Sequence, residues 1–183
     1  MSSDRPSDAR SPTAESELEL AALARERGEE LIEALESQLE GAREHAEATG
    51  AYAFAAAVEL GHGRGRAALV RETGRLHEIG RVYGRDLEAH HGHGAQLARG
   101  AGIPEQVCGW IAAAGARYDG GGSRELAGER IPEASRVVRA ACELARALAG
   151  GGPDAESALR ARAGTELDPA VVDALASVLS RSR

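Results

Sequence analysis

The feature that most constrains this chain is its periodicity. From Glu17 to Leu179 apolar residues recur at spacings of three and four, and no window alternates with β-branched enrichment. That pattern buries one stripe of a helix and cannot supply one face of a sheet. Glycines and prolines punctuate it where helices stop and start. In residues 17–48, Leu31, Leu35, Leu39 and Ala42 form one face, while Glu29, Glu33, Glu36 and Glu40 take the other. Residues 52–60 are small and apolar on most sides, and Gly61 ends them. Further helices are expected over 67–79 and 87–99. Another starts at Pro104 with Val107, Ile111 and Ala114, and one starts at Pro132 with Val138, Ala141, Ala145 and Leu148. A last one opens on Asp168 and Pro169 and carries Val171, Val172, Leu175, Val178 and Leu179. The expectation is an all-α bundle of about seven helices, with a polar, disordered tail over 1–16, a lead helix over 17–44 and a domain over 45–181.

Composition removes several classes of function. With 183 residues and a formal charge of −7, the chain has no basic stripe to displace phosphate counterions, so a nucleic-acid polymer is excluded as a partner. Apolar runs end well short of the ~20 residues a bilayer requires. The polar start has no apolar core of a secretion signal, so a cytoplasmic location is expected. Cys108 and Cys142 are too few for a disulfide framework.

The pointed local signal is Leu76-His77-Glu78-Ile79-Gly80-Arg81, preceded by Glu44-His45-Ala46 with His45 32 residues before His77. Imidazoles from two helices plus a carboxylate form a transition-metal donor set. Adjacent helical residues point about 100° apart, so His77 and Glu78 can share an ion only at a terminal or distorted turn. On its own, the pair also reads as a helix-end histidine beside a solvated acid, and Cys142 as a small buried hydrophobe. The arginines Arg64, Arg66, Arg71, Arg75 and Arg81 can face a phosphate or simply form a solvated helix face.

Several motifs follow in order: His90-His91-Gly92-His93-Gly94, Tyr118-Asp119-Gly120-Gly121-Gly122, Gly128-Glu129-Arg130-Ile131-Pro132 and Gly164-Thr165-Glu166-Leu167-Asp168-Pro169. Together with the two histidine motifs they resemble the HD superfamily of metal-dependent phosphohydrolases and, within it, the HD-GYP branch that hydrolyses cyclic dinucleotides. The resemblance covers most of the chain from Ala34 to Leu179 and implies an HD-type helical bundle. It also implies a pocket in which His45, His77, Glu78 and His90 hold one divalent transition metal (iron, manganese or zinc), with Cys142 as a further donor. Arg81 would steady a phosphate, and Asp119 or Arg117 would line the mouth.

The departures from the family bear on function. Glu78 stands for the aspartate of the His-Asp pair and Arg81 for the lysine that follows it. Ala114 and Gly115 stand for two adjacent histidines, Gly122-Ser123-Arg124 for the Gly-Tyr-Pro triplet, and Cys142 for the aspartate that completes the metal site. Only 12 residues separate His77 from His90, where the family has a long loop. The leading expectation is a degenerate member, a signalling or interaction module with impaired or absent phosphodiesterase activity. It would have a nucleotide as ligand, and a protein partner or second copy would meet it through the lead helix. Two other readings stand beside it: an active single-metal phosphohydrolase, and a helical scaffold unrelated to the family that dimerises through its first helix.

Overall fold

The computed structural model describes residues 13–84, 90–121, 126–151 and 154–181. Among these residues there are eight α-helices and no strand: α1 Ala14–Gln38, α2 Ala42–Glu59, α3 Arg64–Leu76, α4 His90–Gly100, α5 Glu105–Ala113, α6 Glu133–Ala149, α7 Ala155–Arg160 and α8 Pro169–Arg181. Short 3-10 turns occupy Ile79–Tyr83 and Gly128–Arg130. The all-α expectation holds. No described helix is long and apolar enough to cross a membrane.

Helix boundaries differ from the sequence expectation where side chains act on the backbone. The first helix starts at Ala14, because the Thr13 hydroxyl accepts from the Ser16 amide as an N-cap. The polar tail expected over 1–16 therefore stops short of its last three residues, and residues 1–12 lie outside the described part. The single lead helix expected beyond residue 38 is instead two helices. Gly41 takes φ +82°, a left-handed conformation that glycine adopts without steric cost. The Glu36 carboxylate then accepts from the amides of Gly41 and Arg43 at 3.1 and 2.7 Å, which fixes the corner. His45 thus sits one turn into α2, on the same helix as the apolar run 52–60. α7, unanticipated, is one and a half turns long and is capped by Asp154, whose carboxylate accepts from the Ser157 amide at 2.9 Å.

The core lies where α3 packs between α1 and α2, and where α6 crosses α2 and meets α8. Small residues let these helices approach closely. A Cβ on Gly74 would stand 3.1 Å from the Gly50 Cα, and one on Gly28 would stand 2.7 Å from a methyl carbon of Leu76. Ala53, Ala56, Ala57, Leu69, Val138, Ala141 and Leu144 are fully enclosed between them. Ala21, Ala24, Ile32 and Leu35, the stripe that a second copy would need, are buried within the chain, and α1 is packed on α3. That stripe of the lead helix is spent on packing within the chain, while Leu18 on α1 remains exposed.

A buried ionic network ties the first three helices together. The side chain of Arg75 is wholly enclosed and donates to Glu72 at 2.7 Å, to Glu47 at 2.7 Å and to Glu29 at 2.6 Å. Arg25, Arg43 and Arg71 neutralise the same carboxylates from outside. Two residues beyond Arg75 the chain enters the candidate site.

Candidate functional site

α3 ends at Leu76, and the next residues leave helical geometry in steps. His77 keeps a helical conformation, while Glu78 (φ −101°, ψ 2°) opens the 3-10 turn. This is the terminal turn that two adjacent residues need in order to face one point. Gly80 lets the following helix close on it, since a Cβ there would fall 1.9 Å from the His90 carbonyl oxygen and 2.5 Å from the Gly94 amide. α4 consequently begins against the 3-10 turn, with His90 and His91 at its first positions.

Donor atoms of His45, His77, Glu78 and Cys142 lie within 4.8 Å of one another. The His45 Nε2 is 3.5 Å from the Cys142 Sγ and 3.9 Å from a Glu78 carboxylate oxygen. The His77 Nε2 is 4.0 Å from the other. His45 arrives from α2 and Cys142 from α6, two helices packed on each other. His90 is buried and lines the same cavity, of about 180 Å³, yet its donors stand outside the four-residue cluster. The expected set of His45, His77, Glu78 and His90 is thus drawn together with Cys142 in the place of His90.

The tautomer of His77 follows from its neighbours. Its Nδ1–H donates to the Gly74 carbonyl at 2.7 Å, and a carbonyl can only accept. The neutral ring therefore presents a bare Nε2 lone pair, and this buried atom has no hydrogen-bond partner. Burial, opposed by the Glu78 charge, brings the His77 pKa down to about 4. Burial likewise lowers that of His45 and drives the Cys142 thiol up to about 12, so at neutral pH these three groups are uncharged. Burial works against the charged form of Glu78, but the Arg146 and Arg81 guanidinium groups beside it favour that form, and the carboxyl is held down at about 2.

Both oxygens of that carboxylate are taken. Arg81 donates to one at 2.8 Å, and Arg146, one turn beyond Cys142 on α6, bonds the other. The uncharged nitrogens of His45 and His77 therefore fit a metal, and the one anionic donor fits it poorly while Arg146 is in place.

His91 was not foreseen as part of the site. Its Nδ1–H donates to the His77 carbonyl at 3.1 Å, and its ring lies 6.2 Å from that of His77 and 3.9 Å from that of His90. A Cβ on Gly115 would stand 2.4 Å from its Cδ2, so the imidazole fills the space that a side chain at 115 would claim. The sequence signal was the His90-His91 pair at a helix start. Across the cavity Arg139 donates to the Gly115 carbonyl at 2.7 Å and to Glu166 at 3.1 Å. Asp119 is elsewhere: it sits in a loop, gripped by Arg117 at 3.0 and 2.7 Å, and that loop's backbone pairs with the turn at Thr165 and Glu166. Neither Asp119 nor Arg117 lines the cavity. Arg81 reaches the site only through Glu78. The Gly122-Ser123-Arg124 position lies outside the described residues.

The sequence pattern of the HD domain matches residues 42–147. No curated protein sequence matches the chain. Among solved structures, the HD domain of the phosphodiesterase PgpH of L. monocytogenes, in complex with cyclic-di-AMP, is similar with a TM-score of 0.61 at 13% identity, over 84% of this chain and 96% of that one. An HDG"Y"P protein from Bdellovibrio bacteriovorus is similar with a TM-score of 0.65 at 16% identity, over 92% of this chain and 65% of that one. At such identities the likeness is one of fold.

Proposed function

Because the chain belongs to the HD-domain family, we propose that it is a divergent member whose cavity binds a phosphate-bearing nucleotide as a signalling or interaction module, with phosphodiesterase activity impaired or absent. The observation that carries this reading is the state of Glu78, whose two oxygens are held by Arg81 and Arg146. With His45, His77 and Cys142 uncharged, the Glu78 carboxylate faces two guanidinium groups, and Glu143, which also lines the cavity, pairs with Arg146 as well. Guanidinium groups on this wall can pair with an oxyanion, while neither Glu78 oxygen is left open to a dication. Arg139 adds a further cation on the same wall. Ala114 and Gly115 bring no donor from their side chains, which leaves too few ligands for a two-metal clamp on attacking and leaving oxygens. The PgpH domain was solved with a cyclic dinucleotide, which makes a nucleotide the natural class of ligand to try first.

A second reading, a single-metal phosphohydrolase, is favoured by one specific feature. The Nε2 of His77 is buried, bare and unpartnered, which is the form in which imidazole ligates a metal. When bound, a divalent ion there would supply Lewis acidity and water activation. The two readings separate by metal content of the purified chain, with His77→Ala as control, and by turnover of a chromogenic phosphodiester and of cyclic dinucleotides with added manganese. The module reading predicts substoichiometric metal and no turnover above a protein-free blank. Stoichiometric metal lost in His77→Ala, together with turnover, would establish the hydrolase.

A further inference from the structure

Arg146 lies one helical turn after Cys142, so α6 presents thiol and guanidinium to the same point. Its guanidinium bonds the Glu78 oxygen that lies 4.0 Å from the His77 Nε2. Ligand bonds to a transition metal are about 2 Å long, so donors about 3–4 Å apart can share one ion. The position that Arg146 blocks is therefore the one from which Glu78 and His77 would share an ion. Glu78 is almost fully buried, with 7% of its side chain exposed, whereas Arg146 is 46% exposed. Arg146 also has a second carboxylate within reach, Glu143 at 3.3 Å, which is on its own helix and also pairs with Arg162. Leaving Glu78 would not leave Arg146 without a counter-charge.

We propose that Arg146 is the specificity-determining residue of this cavity: its guanidinium stands on Glu78 as a built-in cation and keeps divalent metals out. The inference rests on the reading of Glu78 given above and adds what that reading does not contain, a single side chain whose removal opens a metal site. Arg81 does not substitute for it. Arg81 holds the opposite oxygen of Glu78, at 2.8 Å, and lies on the far side near Leu39 and Tyr83. An ion shared by Glu78 and His77 must displace Arg146 and can leave Arg81 on the oxygen that faces His45.

The test is a titration of the full chain with cobalt(II), followed by its visible absorption and by calorimetry, on wild type and on Arg146→Met, which keeps the aliphatic stem and removes the charge. The expected result is an affinity for cobalt about tenfold or more above wild type, the scale on which groups hydrogen-bonded to a ligand alter metal affinity. Adding His77→Ala to Arg146→Met should abolish the gain. Arg146→Gln serves as the second variant, and far-ultraviolet dichroism identifies a variant that has not folded. Equal, weak cobalt binding by wild type and by a folded variant would overturn this inference and leave the module reading intact. Turnover by the wild type would overturn the module reading, and the ratio of the two cobalt affinities would still decide the role of Arg146.

Discussion

The Nδ1–H of His77 donates to the carbonyl of Gly74, 2.7 Å away in the last turn of α3. The orientation of the imidazole is therefore set by the backbone of the helix that carries it. That backbone is set in turn by the contact of Gly74 with α2, the helix of His45. Gly74→Ala would put a Cβ 3.1 Å from the Gly50 Cα and 3.2 Å from the Thr49 carbonyl oxygen. The two helices must part by a few tenths of an ångström, at an expected cost of about 1–3 kcal/mol in urea-induced unfolding.

The network around Arg75 should dominate mutational sensitivity. Arg75→Ala leaves Glu72, 4% exposed, with only the half-exposed Arg25 at 3.5 Å as counter-charge. A loss of about 3–5 kcal/mol is expected, the range for removing one partner of a buried pair. The double variant Arg75→Met, Glu72→Gln should recover a large part of it, because it removes both charges. Equilibrium denaturation of the three proteins checks the prediction; a double variant no more stable than Arg75→Ala would contradict it.

Acid should destabilise the fold in two windows. His77 and His91 have pKa values lowered to about 4 and about 3, mainly by burial, and that of His45 is lowered as well. The folded state therefore binds fewer protons than the unfolded one, in which histidine titrates near 6.5. Their contribution is complete above pH 6.5 and is lost as pH falls toward 4. Glu78, lowered to about 2, adds a loss below about pH 4.5. For fully buried His77 the effect is on the order of 2–3 kcal/mol. Melting temperatures between pH 7.5 and 4.5 should fall for the wild type, with a shallower slope in His77→Gln.

Gly80→Ala should be more damaging than its size suggests. The new methyl would meet the His90 carbonyl and the Gly94 amide, both of them backbone and unable to swing aside. α4 must move, and His90 and His91 move with it out of the cavity. Alongside lower stability, altered ring resonances of His91 and His77 in nuclear magnetic resonance spectra would report the loss of their contact.

Both cysteines should be inert in the folded chain. Cys108 is wholly buried and donates to the Ile103 carbonyl, while Cys142 is 5% exposed with its thiol pushed up to about 12. Thiolate is the reactive form, so alkylation at pH 8 should be slow until denaturant is added. Rapid labelling of Cys142 in the native chain would show that its thiol is ionised or accessible.

Local signals account for what the sequence revealed. Val171, Val172 and Leu175 declared α8, and the interval from His45 to His77 marked two imidazoles that α2 and the end of α3 bring together. The corner at Gly41 escaped because the apolar spacing runs through it, and what breaks the helix is a side chain, Glu36, capping amides beyond the break. α7 is too short to show a stripe. Within the site, the approach of Cys142 to His45 depends on how α6 crosses α2, and that of His91 to Gly115 on how α4 meets α5. The place of Arg146 on Glu78 spans 68 residues of sequence and belongs to no motif.

The charges that hold α1, α2 and α3 together centre on Arg75, and those that give the cavity its character centre on Glu78. No ion pair described here joins the two groups. Frame and chemistry are in that sense modular, and the cavity can exchange an acid for a base or a metal for a guanidinium while the three-helix clamp goes on carrying the fold.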